Sequence, residues 1–150
     1  MHGVSMIGRI FTSIALAVAL CAAVPGSAQE PAVSDGDRAR IQAVVADQLR
    51  AFQRDDGAAA FDFAAPSIQG IFQTPEMFME MVREAYRPVY RPRQVDFRDV
   101  VTIEGQPTQR VMLVGPDGRT YLAHYPMQRQ SDGSWRINGC YLVPLDDKTA

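Results

Sequence analysis

Residues 119–143, "RTYLAHYPMQRQSDGSWRINGCYLV", decide the fold. Apolar and polar side chains alternate on both sides of Ser131-Asp132-Gly133, the pattern of two strands joined by a tight turn. A three-residue loop with Gly133 in the left-handed conformation sets Gln130 opposite Ser134. It then pairs Trp135 with Arg129, Ile137 with Met127, Tyr141 with Ala123 and Val143 with Tyr121, which makes one face largely apolar. A two-residue turn would oppose Arg136 to Arg129 and Ile137 to Gln128, setting like charges against each other. The three-residue loop is therefore expected.

Working outward, "GPDG" at 115–118 has the same turn chemistry and sets Gly115 opposite Arg119. The apolar face continues through Leu113–Tyr121, Val111–Ala123 and Gln109–Tyr125, then to Val101, Asp99, Phe97 and Val95. Four strands are expected near 94–103, 108–114, 119–129 and 134–143.

Upstream the hydrophobic period changes from 2 to about 3.6. Ile41, Val44, Val45, Gln48, Leu49 and Phe52 form the inner stripe of a helix started by Ser34 or Asp35 and ending near Arg54. Asp55-Asp56-Gly57 breaks it and caps a short helix, "AAAFDFAA", which Pro66 closes; "IQGIF" at 68–72 reads as a loop or single turn. Thr74, Pro75 and Glu76 start a third helix with Phe78, Met81, Val82 and Ala85 inward, and Pro88 and Pro92 end it in an extended linker. Helices on one face of an antiparallel four-stranded sheet define an α+β class.

The expected register has chemical consequences on both faces. On the helix side it gathers Asp99, Gln109, Tyr121, Tyr125 and Tyr141 among apolar neighbours, with Asp62 nearby on the short helix. A few polar groups in an apolar concavity describe a site for a small, partly apolar ligand, with Gln109, Tyr121, Tyr125, Tyr141 and Asp62 as binding candidates. A buried Asp99 beside Tyr121 or Tyr125 would have the elements of acid–base catalysis. On the outer face Arg110, His124 and Cys140 share a row, flanked by Met112, Leu122 and Leu142. That row admits a tuned nucleophilic thiol, plain packing, or a homodimer whose second copy covers the outer sheet face. The linker arginines Arg87, Arg91 and Arg93 admit an anion-binding mouth or a solvated surface.

Residues 1–28 read as a secretory signal peptide: Arg9, an acid-free apolar run from Ile10 to Val24, then small residues with cleavage after Ala28. The run is too short for a membrane-spanning helix, so export to the periplasm or medium is expected, without a stable membrane anchor. A mobile lead over 29–36 and a tail over 146–150 flank one domain, 37–145. The chain has 15 basic and 17 acidic residues; Arg9 leaves with the leader, so the mature net charge is −3, which argues against nucleic acid as a partner. Cys21 and His2 leave as well, so Cys140 has no intrachain disulfide partner and His124 is the sole imidazole. No cysteine–histidine metal site and no cofactor are expected.

The run from Ile41 to Pro92, "IQAVVADQLRAFQRDDGAAAFDFAAPSIQGIFQTPEMFMEMVREAYRPVYRP", followed by "DGSWRINGC", resembles the bacterial domain-of-unknown-function family 4864, which implies no assigned activity. Helices followed by a meander whose last strand carries "DGSWRI" resemble, more distantly, the NTF2-like (cystatin-like, SnoaL-like) cone folds. That second resemblance implies a conical pocket between helices and sheet, in a superfamily holding isomerases, dehydratases and non-catalytic binding modules. The expected function is an exported small-molecule-binding domain without an assigned activity. The alternatives are an acid–base enzyme with a cone pocket and an envelope protein-interaction module.

Overall fold

The structure, a computed structural model, describes residues 33–145. The leader with its cysteine and histidine, and the tail 146–150, lie outside the described residues. Five helices precede the sheet: α1 (Asp35–Gln53), α2 (Gly57–Asp62), α3 (Pro66–Phe72), α4 (Pro75–Ala85) and α5 (Arg87–Tyr90). Five strands follow: β1 (Gln94–Ile103), β2 (Gln106–Val114), β3 (Thr120–Arg129), β4 (Trp135–Ile137) and β5 (Tyr141–Pro144). The class is α+β, with an unclosed antiparallel sheet in which β3 pairs β2 on one side and both β4 and β5 on the other.

The expected caps form. Ser34 accepts from the Asp37 amide at 3.1 Å, Asp56 from Ala59 at 3.1 Å and Thr74 from Met77 at 3.2 Å, each satisfying a donor that the first helical turn leaves open. Helix α1 begins at Asp35, so it takes in the last two residues of the expected lead. Its buried stripe is Ile41, Val45, Gln48, Leu49 and Phe52, joined by Ala51. Burying a side chain the size of Phe52 contributes about 1.5–3 kcal/mol, and this stripe meets Val111, Leu113, Ala123, Tyr125 and Ile137 in one core.

Three helical expectations are corrected. Pro66 opens α3 at its first position, where a missing N–H costs nothing, so "IQGIF" belongs to a helix and not to a loop. The inner side of α4 is Phe78, Met79 and Val82, while Ala85 is exposed. The rotation follows from α2: a β-carbon on Gly57 would stand 2.8 Å from Met79 Cγ, so the glycine makes room for that methionine. After α4 the chain makes the single turn α5, with Pro88 near its start and Pro88 and Val89 buried, in place of an extended linker.

In the sheet the two three-residue hairpins form as expected. Gly115 N–H donates to Arg119 O at 2.8 Å and Gln130 N–H to Ser134 O at 2.8 Å, with Gly118 and Gly133 at φ of 78° and 84°. The pairs Leu113–Tyr121, Val111–Ala123, Gln109–Tyr125, Arg129–Trp135 and Met127–Ile137 all hold. Two irregularities break the pattern elsewhere.

The first is in β1, where Phe97 opposes Val111 but Val100 opposes Gln109. One extra residue at Arg98-Asp99 turns Val100 inward and Asp99 outward, reversing the expectation that Asp99 and Val101 face the helices. Gln109 stabilises the bulge, its amide nitrogen donating to the carbonyls of Arg98 at 2.7 Å and Arg110 at 2.9 Å. The second is the gap between β4 and β5. Ile137 forms a parallel bridge with Ala64, receiving and giving backbone hydrogen bonds with Phe63 and Ala65 at 2.8 Å each. Asn138 N–H still donates to Pro126 O at 2.7 Å, Gly139 and Cys140 then leave the ladder, and β5 resumes one residue later, with Tyr141 opposite His124 and Leu142 opposite Ala123. The expected pairs Tyr141–Ala123 and Val143–Tyr121 are thus replaced. A one-residue shift exchanges faces: Cys140 and Leu142 pack on the core, while Tyr141 and Val143 are exposed.

Candidate functional site

Between helices α1, α3, α4 and α5 and the interrupted last strand lies a cavity of about 390 Å³. Its walls follow from the elements just described. Helix α1 contributes Gln48 and Phe52, α3 contributes Ile68 and Phe72, α4 contributes Phe78, Met81 and Val82, and the sheet closes it with Tyr125, Ile137, Gly139 and Cys140. Phe78 organises the apolar side: Phe52, Phe61 and Phe72 surround it at ring separations of 6.1, 5.5 and 5.7 Å, the tilted and edge contacts that aromatic quadrupoles favour.

The polar groups of the cavity are few. Gln48 donates its amide to Ala60 O at 3.1 Å, so it ties α1 to α2. Tyr86 donates to Cys140 O at 3.0 Å and supports the irregular segment. Tyr125 is fully buried and its hydroxyl has no hydrogen-bond partner of good geometry; the Cys140 thiol is its neighbour. Burial, with the neighbouring thiol adding to it, holds the phenol well above its ordinary pKa. Burial also pushes the Cys140 thiol up to about 12, with a smaller opposing effect from the Tyr125 hydroxyl. Both groups are neutral at pH 7.

The sequence-predicted candidates separate into five places. Tyr125 and Cys140 meet at the cavity. Gln109 is buried but serves the β1 bulge. Tyr121 donates to the Asp117 carboxylate at 2.8 Å and lines a different, more polar depression with Arg87, Pro88 and Pro116. Asp62 is exposed at the end of α2.

The remaining candidates are on the outer face. Asp99 is paired with Arg110 at 2.6 Å, and this guanidinium holds its carboxyl below the ordinary carboxylate value. His124 stacks on Tyr141 with ring centroids 4.6 Å apart and planes 2° from parallel. Its imidazole is held below the usual pKa, first by desolvation and then by Arg110, and its buried Nδ1 has no partner. The expected row of Arg110, His124 and Cys140 therefore loses its thiol, and the expected pairing of Asp99 with a buried tyrosine does not form. A slip of one residue in each of two strands accounts for both corrections.

The arginine-rich linker is structural in part. Arg91 donates to Phe52 O at 2.6 Å and pairs with Asp55 at 2.9 Å, while its guanidinium lies 3.9 Å from the Tyr90 ring centroid. Tyr90 also donates to Asp55, and this bond, followed by the arginines, lowers the Asp55 pKa. Arg87 and Arg93 are exposed.

Sequence reasoning missed the contributions of Gln48, Ile68, Phe72 and Tyr86 to the cavity. The dipeptide Asn138-Gly139 inside an otherwise alternating strand is the signal that marks the bulge and hence the inward turn of Cys140. Among the described residues no three His, Cys, Asp or Glu side chains are grouped so as to hold a metal ion, and no helix is long and apolar enough to cross a membrane.

Residues 34–150 match the family model described as Domain of unknown function (DUF4864), and the chain belongs to that family. Comparison with curated proteins and with solved structures returned no match.

Proposed function

We propose that this chain is an exported binding protein of NTF2-like architecture that holds a small, largely apolar molecule in the cavity between its helices and its sheet. The observation that carries the reading is the cavity's make-up: about 390 Å³ bounded by aromatic and aliphatic side chains, with a buried phenol at its wall. Its size and lining are those of ligand pockets, which fall at roughly 300–1,000 Å³ and combine apolar walls with a few polar groups. Helices followed by a meander, with a pocket between them, support the cone architecture. The apolar leader ending at Ala28 supports export.

The neutral apolar dye N-phenyl-1-naphthylamine tests the binding reading. Its fluorescence is expected to rise on mixing with the mature protein and to stay low with Met81→Trp, a variant that fills the cavity from α4. Equal enhancement by both proteins, with the variant folded by circular dichroism, would place the dye elsewhere and contradict the reading. The same reading puts a second copy on the outer sheet face, where Tyr141 and Val143 are 44% and 41% exposed beside Leu122. The version of the enzyme reading built on Asp99 has no support, because that carboxylate is paired with Arg110 on the outer face.

A further inference from the structure

The cavity also constrains the chemistry of what enters it, and this step rests on the binding reading above. None of the side chains that line it is charged. An anionic ligand such as a carboxylate would lose its hydration there without meeting a cation, a penalty that a neutral molecule escapes. Two of the polar lining groups are already committed, the Gln48 amide to Ala60 O and the Tyr86 hydroxyl to Cys140 O. The Tyr125 hydroxyl is different: it is fully buried, it belongs to a residue that lines the cavity, and its one neighbour able to hydrogen-bond is the Cys140 thiol, which is not in good geometry. A thiol sulfur is a weak acceptor, so a ligand oxygen placed against this buried O–H gains more than the same contact would at a wet surface.

We infer that the ligand is a neutral molecule with a hydrogen-bond acceptor, a carbonyl or ether oxygen on an otherwise apolar frame, which it presents to the Tyr125 hydroxyl. The phenol donates and stays protonated. No bond is made or broken.

Three probes of one skeleton test this: 4-phenylcyclohexanone, phenylcyclohexane and 4-phenylcyclohexanecarboxylate at pH 7, titrated into the mature wild-type protein and into Tyr125→Phe by NMR. The ketone and the hydrocarbon are expected to bind the wild type, and the carboxylate to bind far more weakly than either. In Tyr125→Phe the ratio of ketone affinity to hydrocarbon affinity is expected to fall about five- to tenfold, the loss of one net hydrogen bond. An unchanged ratio, or a carboxylate that binds the wild type best, would overturn the inference while leaving the binding cavity intact. Failure of all three probes to bind the wild type would overturn the cavity reading and this inference with it. Because the ranking in the wild type is itself decisive, a poorly folded variant does not shelter the proposal.

Discussion

Cys140 is half-buried as a residue, but it packs against the core at a largely apolar cavity wall, where ionising a thiol is costly, and this sets its chemistry. With its pKa pushed from 9.0 to about 12, the thiolate fraction at neutral pH is lower by about a thousandfold. Iodoacetamide is therefore expected to react with the folded protein far more slowly than with a small thiol, and at the ordinary rate once denaturant exposes the residue. Fast alkylation of the native state would contradict the burial. The linkage has a definite sign. Between 9.0 and about 12 the unfolded chain has released this proton and the folded chain has not, so stability falls as pH rises through that window. Tyr125 makes a related prediction. If its hydroxyl has no partner in the ligand-free protein, Tyr125→Phe removes an unpaired group and leaves stability unchanged or raises it by about 1 kcal/mol in chemical denaturation. A loss of that size would reveal a bond to Cys140 or to a buried water. The sequence showed both residues but placed Cys140 on the wrong face. His124 and Arg110 do stand opposite each other, as expected, and only the third member of the row moved.

At the scale of the element, the cavity depends on the interruption of the last strand. Gly139 has φ of 151°, a conformation that L side chains rarely adopt, and an added β-carbon would meet only ordinary contacts with Pro126 at 3.8 and 3.9 Å. The requirement is thus conformational. Gly139→Ala is expected to destabilise the protein by about 1–3 kcal/mol, measured by denaturant unfolding, and to raise Cys140 alkylation by loosening its neighbour. A neutral effect would mean that the segment can take another path. The turns were legible in the sequence because Gly118 and Gly133 sit where a positive φ closes a three-residue loop. The bulges were less so. In β1 the alternation Val95, Phe97, Asp99 would bury a carboxylate, and a one-residue shift that buries Val100 removes that penalty. In the last strand the cause is non-local: Ile137 pairs with Ala64, more than 70 residues earlier in the chain, and no local pattern announces such a bridge. Helix α3 was hidden by its weak periodicity and by Pro66, which serves equally well to end one helix or to begin another.

At the scale of the molecule, three helices and four strands expected from periodicity became, among the described residues, five helices and five strands in the same α+β order, because short turns at prolines and a broken strand each added an element. The helix-side pocket was anticipated as a concavity with tyrosines, yet only Tyr125 of the expected set lines it: the two bulges turn Asp99 and Tyr141 to the outer face, while Tyr121 keeps its register but bonds Asp117 elsewhere and Gln109 serves the β1 bulge. The outer face keeps Leu122, Tyr141 and Val143 in adjacent positions, and under the proposal that a second copy covers it, Leu122→Glu is expected to give a monomer in sedimentation equilibrium where the wild type is a dimer. A wild type that is already monomeric at high concentration would contradict that assembly. That the cavity holds a small molecule is tested by a native mass spectrum of the protein purified gently from the periplasm or medium, where the proposed export would leave it. A chain beginning at Gln29 and carrying a small neutral mass is expected, with Met81→Trp protein carrying none. A wild type that is bare under the gentlest ionisation, or a mass retained equally by the filled variant, would contradict it.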